Sequence, residues 1–90
     1  MKYKPVHTGQ FKKDTKQMLL RGFGVKELSE IMTKLRDGET LDPKHRDHKL
    51  VGKYVGRREC HIKSDGLLIY KIAGEYIIFE RSGRHSDLFD

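Results

Sequence analysis

Residues 57–81, RRECHIKSDGLLIYKIAGEYIIFER, decide the fold. Residues 57–63 read as a strand, Ser64-Asp65-Gly66 is turn chemistry, and residues 67–72 read as a second strand. Ala73-Gly74 then makes a tight connection to a third strand over residues 76–81. Three strands joined in chain order by short turns form a meander. Because side chains alternate between the faces of a strand, Glu59 and His61 share one face and Cys60 points to the other.

Upstream of this sheet the period changes from two to 3.6. Leu28, Ile31, Met32 and Leu35 follow i, i+3, i+4, i+7, with Glu27 and Glu30 near the positive end of the helix and Gly38 after its last turn. Residues 10–21 form an earlier helix, with Phe11, Thr15, Met18 and Leu19 on one face and Lys12, Lys13 and Lys16 on the other. Thr8 or Gly9 serves as its N-cap and Gly22 as its C-terminal glycine. Gly22-Phe23-Gly24 folds the two helices into an antiparallel hairpin whose apolar faces need a sheet to cover. Residues 2–7 read as a short strand in which Pro5, lacking an amide proton, marks an edge or irregular position. Residues 39–56 read as an irregular basic loop anchored by Leu41, Leu50 and Val51, with room for a strand to begin near its end. The expectation is an α+β domain of order β-α-α-β-β-β: a twisted, mainly antiparallel sheet with a two-helix hairpin packed on one face.

Ninety residues suffice for one domain, spanning residues 1–90, with a modest core. Hydrophobic and charged residues each make up 36% of the chain, so the apolar ones must be concentrated on one helix face and inside the sheet. No apolar run approaches the ~20 residues of a membrane span, and the Lys-rich start lacks the apolar stretch of a secretion signal. A cytoplasmic protein with no membrane partner is expected. The lone cysteine, Cys60, permits no intrachain disulfide and reads as a buried structural thiol. The net charge of +6 points to a polyanionic partner. It is locally densest where Lys44, Arg46, Lys49, Lys53, Arg57 and Arg58 face only Asp47, a density suited to phosphate contacts on RNA or the ribosome.

The residues able to do chemistry crowd into the C-terminal half: His48, His61, Asp65, Arg81 and His85. RNA carries its own nucleophile, the 2′-hydroxyl. Cutting it requires a base for that hydroxyl, an acid for the departing 5′-oxygen, and positive charge against the phosphorane. Histidine, with an unperturbed pKa near ~6.5, suits both proton steps, and arginine suits the charge. Each residue also has an ordinary alternative: His48 as a surface residue, Glu59 as an ion-pair partner, Asp65 as a turn former. Metal binding is the weaker reading, because His45 and His48 have no second ligand pair and one cysteine makes no zinc site. No serine lies in a nucleophile elbow. An RNA-cleaving enzyme and a non-catalytic RNA- or ribosome-binding protein on the same scaffold both explain the charge. Only the first explains the histidines together with an arginine.

The run Asp47-His48-Lys49-Leu50-Val51-Gly52-Lys53 carries a family likeness, as do Arg58-Glu59-Cys60-His61-Ile62-Lys63-Ser64-Asp65, Leu68-Ile69-Tyr70 and Arg81-Ser82-Gly83-Arg84-His85-Ser86-Asp87-Leu88-Phe89. Together they closely resemble the YafQ branch of the RelE toxin superfamily, the mRNA interferases of bacterial type II toxin–antitoxin systems. The resemblance implies a RelE-like fold and a ribosome-dependent endoribonuclease that needs no metal or other cofactor, cuts mRNA in the ribosomal A site, and is neutralised by a cognate antitoxin. It carries catalytic roles to His48, His61, Asp65, Arg81, His85 and Phe89, with Glu59 in support. By this analogy Arg81 holds the scissile phosphate and Phe89 packs or stacks against a base. One position departs: where well-known members have an aromatic residue after the aspartate, this chain has Gly66, and the expectation is a lost base-stacking surface.

Overall fold

The computed structural model describes residues 1–63 and 65–89; Ser64, in the expected turn, and Asp90 lie outside the described residues. Five strands form one mixed sheet in the order β1-β5-β4-β3-β2. β1 is Lys4–His7, β2 His48–Lys49, β3 Arg58–His61, β4 Gly66–Ala73 and β5 Tyr76–Arg84. The expected meander is β3-β4-β5, with β5 continuing past Arg81 to Arg84. β2 is a two-residue strand inside the stretch read as irregular loop. It pairs His48 with Glu59 and Lys49 with Arg58. β1 lies parallel to β5 at the sheet's edge, and there Pro5 is tolerated.

Between β1 and β2 come helices α1, Gly9–Leu20, and α2, Val25–Arg36; a short α3, His85–Phe89, follows β5. Thr8 caps α1 by accepting the Phe11 amide at 3.0 Å. Both long helices stop in the same way. Phe23 N–H donates to Met18 O and Gly22 N–H to Leu19 O, and Glu39 and Gly38 repeat the pattern on Lys34 and Leu35. The motif needs a left-handed residue, and Gly22 (φ 64°) and Gly38 (φ 76°) supply it.

Phe11 and Met18 of α1 and Leu28, Ile31 and Leu35 of α2 pack on Cys60, Leu68, Tyr70, Ile77 and Phe79 of the sheet. Two expected core positions are elsewhere. Leu19 is 66% exposed because it sits about 100° around α1 from Met18, off the buried stripe. Val51 is 82% exposed at the tip of the loop, leaving buried Leu41 and half-buried Leu50 as its anchors.

The opposite face of the sheet positions the polar residues. Cys60 pairs with Leu68 on the helix side, so the flanking pairs Glu59–Ile69 and His61–Leu67 face away from the helices. On β5 the alternation is interrupted. Tyr70 pairs with Phe79 but Ile69 with Arg81, so Glu80 is an extra residue, a β-bulge. Uninterrupted alternation from Phe79 would point Arg81 at the helices. The bulge turns it to the face that carries Glu59 and Ile69.

Candidate active site

The pairing register assembles the site. His48 is opposite Glu59, Glu59 opposite Ile69, and Ile69 opposite Arg81, so these four residues form one row across β2, β3, β4 and β5. Paired residues share a face, and three inter-strand steps make the row about 14 Å long. His61, Leu67 and Gly83 form the next row. Leu67 and Ile69 are each 2% exposed, which gives the polar residues a dry apolar floor.

At one end, His48 is held at both ring nitrogens. Nδ1 donates to the Arg46 carbonyl at 2.5 Å, and Nε2 lies 3.4 Å from Glu59 Oε1. The second contact is an ion pair when the ring is protonated. Arg46 presents its carbonyl from a left-handed backbone (φ 48°), which aims it back toward His48. The His48 and His61 rings are 6.4 Å apart and tilted by 37°. His45, considered in the sequence only as a weak metal ligand, makes a hydrogen bond of 2.8 Å between Nδ1 and the His61 carbonyl and so fixes the end of β3. Among the described residues, no group of three or more His, Cys, Asp or Glu side chains is placed to hold a metal ion.

At the other end, Arg81 is bound to a residue the sequence did not single out. Its Nε donates to Asp14 Oδ2 at 2.8 Å and its Nη2 to Asp14 Oδ1 at 3.3 Å. These hydrogen bonds hold the Arg81 pKa above its ordinary value, against the smaller opposing effect of burial. Asp65 is exposed, and its carbonyl accepts the His85 amide at 3.1 Å, tying the β3–β4 connection to the start of α3. His85 and Phe89 lie one turn apart on α3 with rings 5.1 Å apart. Phe89 also meets Tyr54, from the basic loop, edge to face at 5.7 Å. Two groups thus result: His48, Glu59, His61 and Arg81 on the sheet face, and Asp65, His85 and Phe89 at the end of β5.

The six basic residues of the loop separate by partner. Arg57 pairs with Glu80, the bulge residue, and Arg58 with Asp47 at 3.2 Å. Asp47 also accepts the Tyr70 hydroxyl at 2.7 Å. These two guanidiniums brace the sheet through their carboxylate partners. Lys44, Arg46, Lys49 and Lys53 are exposed and make no ion pair among the described residues. Lys53 rests over the Tyr54 ring at 5.5 Å.

Cys60 is fully buried, and burial pushes its thiol pKa far above the ordinary value, so it is a structural thiol. Gly66 corrects an expectation. A Cβ there would lie 3.1 Å from the Phe23 ring and 3.2 Å from Ile62. Position 66 therefore points to the helix side, and the missing ring removes nothing from the face that carries the histidines.

Residues 3–90 match the family model for the bacterial toxin of type II toxin–antitoxin systems, YafQ. The chain is 36% identical over 84 residues to the mRNA interferase toxin YafQ of Escherichia coli K12, covering 92% of this chain and 91% of the relative. Among solved structures, YafQ from E. coli BL21(DE3) superposes with a TM-score of 0.92 at 32% identity, covering 98% of this chain and 99% of that one. YafQ in the E. coli DinJ–YafQ toxin–antitoxin complex gives 0.89 at 33% identity, with both chains fully covered. A metal-bound toxin from Helicobacter pylori gives 0.88 at 36% identity, covering 97% and 99%.

Proposed function

The chain belongs to the YafQ family of type II toxin–antitoxin toxins and is by that homology an mRNA interferase, an endoribonuclease; we propose that it cuts mRNA on the ribosome by metal-free proton transfer from the residues just described. The observation that carries the mechanism is the cross-strand row. His48, Glu59 and Arg81 share one face, with His61 beside them over an apolar floor. A row about 14 Å long is too wide for direct proton exchange between its ends, but it brackets a strand of RNA laid across it.

In this reading the 2′-hydroxyl of the bound message attacks its own phosphorus. Arg81 takes the charge that develops on the non-bridging oxygens. The histidines, His48 and His61 on the sheet and His85 on α3, supply the base for the hydroxyl and the acid for the departing 5′-oxygen, with Glu59 and Asp65 orienting them. Phe89, braced by Tyr54, offers an aromatic face to a base. Lys44, Arg46, Lys49 and Lys53 hold the backbone of mRNA or ribosomal RNA in the A site. The partner that silences the toxin is a cognate antitoxin, as DinJ is found with YafQ in E. coli, and the place of action is the cytoplasm.

Induced expression should arrest growth, with cleavage in translated messages and little in naked RNA. EDTA should leave cleavage on programmed ribosomes unchanged, a measurement with added interest because the H. pylori relative is described in a metal-bound form. Normal growth with intact messages would leave only a non-catalytic ribosome- or RNA-binding protein. Loss of cleavage in EDTA, restored by a metal, would overturn the metal-free chemistry.

A further inference from the structure

Asp14 sits in the middle of α1 among lysines, and its side chain is only 10% exposed. Each carboxylate oxygen accepts two hydrogen bonds. Oδ2 takes Arg81 Nε at 2.8 Å and the Ser82 amide at 3.1 Å. Oδ1 takes Arg81 Nη2 at 3.3 Å and Gln10 Nε2 at 3.0 Å. The place exists because β1 ends at His7, so beyond Phe79 the outer edge of β5 has no strand partner and α1 lies against it.

A guanidinium has two edges able to grip an oxyanion: the side edge, Nε with one Nη, and the end edge, the two Nη groups together. Asp14 occupies the side edge. The end edge, which presents one proton from each Nη, has no hydrogen-bond partner among the described residues. We infer that Asp14 is a positioning residue for RNA cleavage: it fixes which edge of Arg81 meets the scissile phosphate and offsets part of the arginine's charge before reaction. The inference rests on the reading of Arg81 as the phosphate-binding group. It goes further by assigning a role in the reaction to a helix residue outside the family motif.

The two effects of Asp14 have opposite signs for binding and for chemistry. A partly neutralised guanidinium attracts the singly charged phosphate diester less than a lone one would. Held in place, however, it meets the extra negative charge of the phosphorane without reorganising. Asp14→Asn removes the charge but keeps a carbonyl acceptor for Ser82. Single-turnover cleavage on programmed ribosomes should then slow by roughly 10- to 100-fold, while binding stays equal or tightens. An ion pair that merely ties α1 to β5 would instead lower the melting temperature and affect both measurements alike.

Four proteins decide the matter: the parent, Asp14→Asn, Arg81→Ala and the double variant. Asp14→Asn should slow cleavage in the parent and change it by less than about twofold in the Arg81→Ala background. Equal losses in both backgrounds, or a parental rate for Asp14→Asn beside a slow Arg81→Ala, overturn the positioning role and leave Arg81's own role standing. A parental rate for Arg81→Ala removes both. Should Asp14→Asn fail to fold, the unmodified protein still answers through the ¹⁵N-resolved Arg81 Nε–H signal during titration with a 2′-methoxy oligoribonucleotide, which cannot be cut. The signal is expected to stay protected from solvent exchange as the RNA binds. Its loss would mean that Arg81 leaves Asp14 for the phosphate, and the inference would be wrong.

Discussion

The two faces of the β3-β4-β5 meander are built from alternate residues of the same strands, yet they do different things. Cys60, Leu68, Tyr70 and Phe79 face the helices and close the core. Glu59, His61, Ile69 and Arg81, their immediate neighbours in sequence or across one bulge residue, face the other way and carry the polar row. On the first face nearly every side chain is replaceable in kind, since shape and volume govern its contribution. On the second, the identity of single atoms governs it. Substitutions on the two faces should therefore separate stability from activity.

The sharpest break comes from the core side. Phe79→Ala empties a fully buried position stacked on Phe11 at 5.7 Å and should lower unfolding free energy by about 3–5 kcal/mol, with any lost activity following lost fold. A denaturation midpoint within error of the parent would mean that this face does not hold the domain together. At the far end of β5, His85→Ala should cut single-turnover cleavage by roughly 10²-fold while melting and ribosome binding hardly change. Parental cleavage would return His85 to the ordinary surface.

Position 66 tests which face it belongs to. Gly66→Ala places a methyl against Phe23 and Ile62 and should cost about 1–2 kcal/mol of stability, with the chemical step of the folded fraction unchanged. An altered codon preference at parental stability would instead put position 66 on the RNA side. Smaller still is the effect of the loop cations. Lys49→Ala with Lys53→Ala should weaken ribosome binding about tenfold and flatten its salt dependence, leaving the rate at saturation nearly intact. The same double change at Arg57 and Arg58, both ion-paired, should register first as lost stability. A salt slope unchanged by the lysine pair would sink the phosphate role of the loop.

The faintest signal lies at the edge strand. His7 is exposed as a residue, yet its ring packs edge-on against Phe11 and Phe79, and this partial burial, aided by Lys12 and Arg36, lowers its pKa from 6.5. The unfolded chain therefore takes up the proton first as pH falls below 6.5. His7 contributes a loss of stability on acidification through that window and nothing above it. Melting curves of His7→Gln should show a shallower decline toward acid; an identical decline would assign the acid sensitivity to other groups.

Much of this was legible in order along the chain. Leu28, Ile31 and Leu35 announced α2 because a helix repeats its neighbours every 3.6 residues, and Gly38 announced its end because a left-handed turn favours glycine. The opposite facing of Cys60 and Glu59 followed from alternation alone. Leu19 and Val51 were misread because hydrophobicity says that a residue would gain from burial but not whether a partner surface exists. Arg57 and Arg58 counted equally with the lysines because charge in a sequence carries no sign of the carboxylate that will neutralise it.

By itself, then, the sequence determined the two long helices, the β3-β4-β5 meander, most of each helix's core stripe and the residue types fit for RNA chemistry, since all of these depend on local period and side-chain character; the two-residue β2 and the short α3 it did not. Only the tertiary structure decided which of those residues meet. One extra residue, Glu80, reverses the facing of Arg81, and a two-residue strand places His48 opposite Glu59. The early end of β1 brings Asp14, 67 residues away in the chain, to the arginine it holds. Bulges, register and edge partners arise from pairings between distant segments, and no local property of Glu80, His48 or Asp14 encodes them.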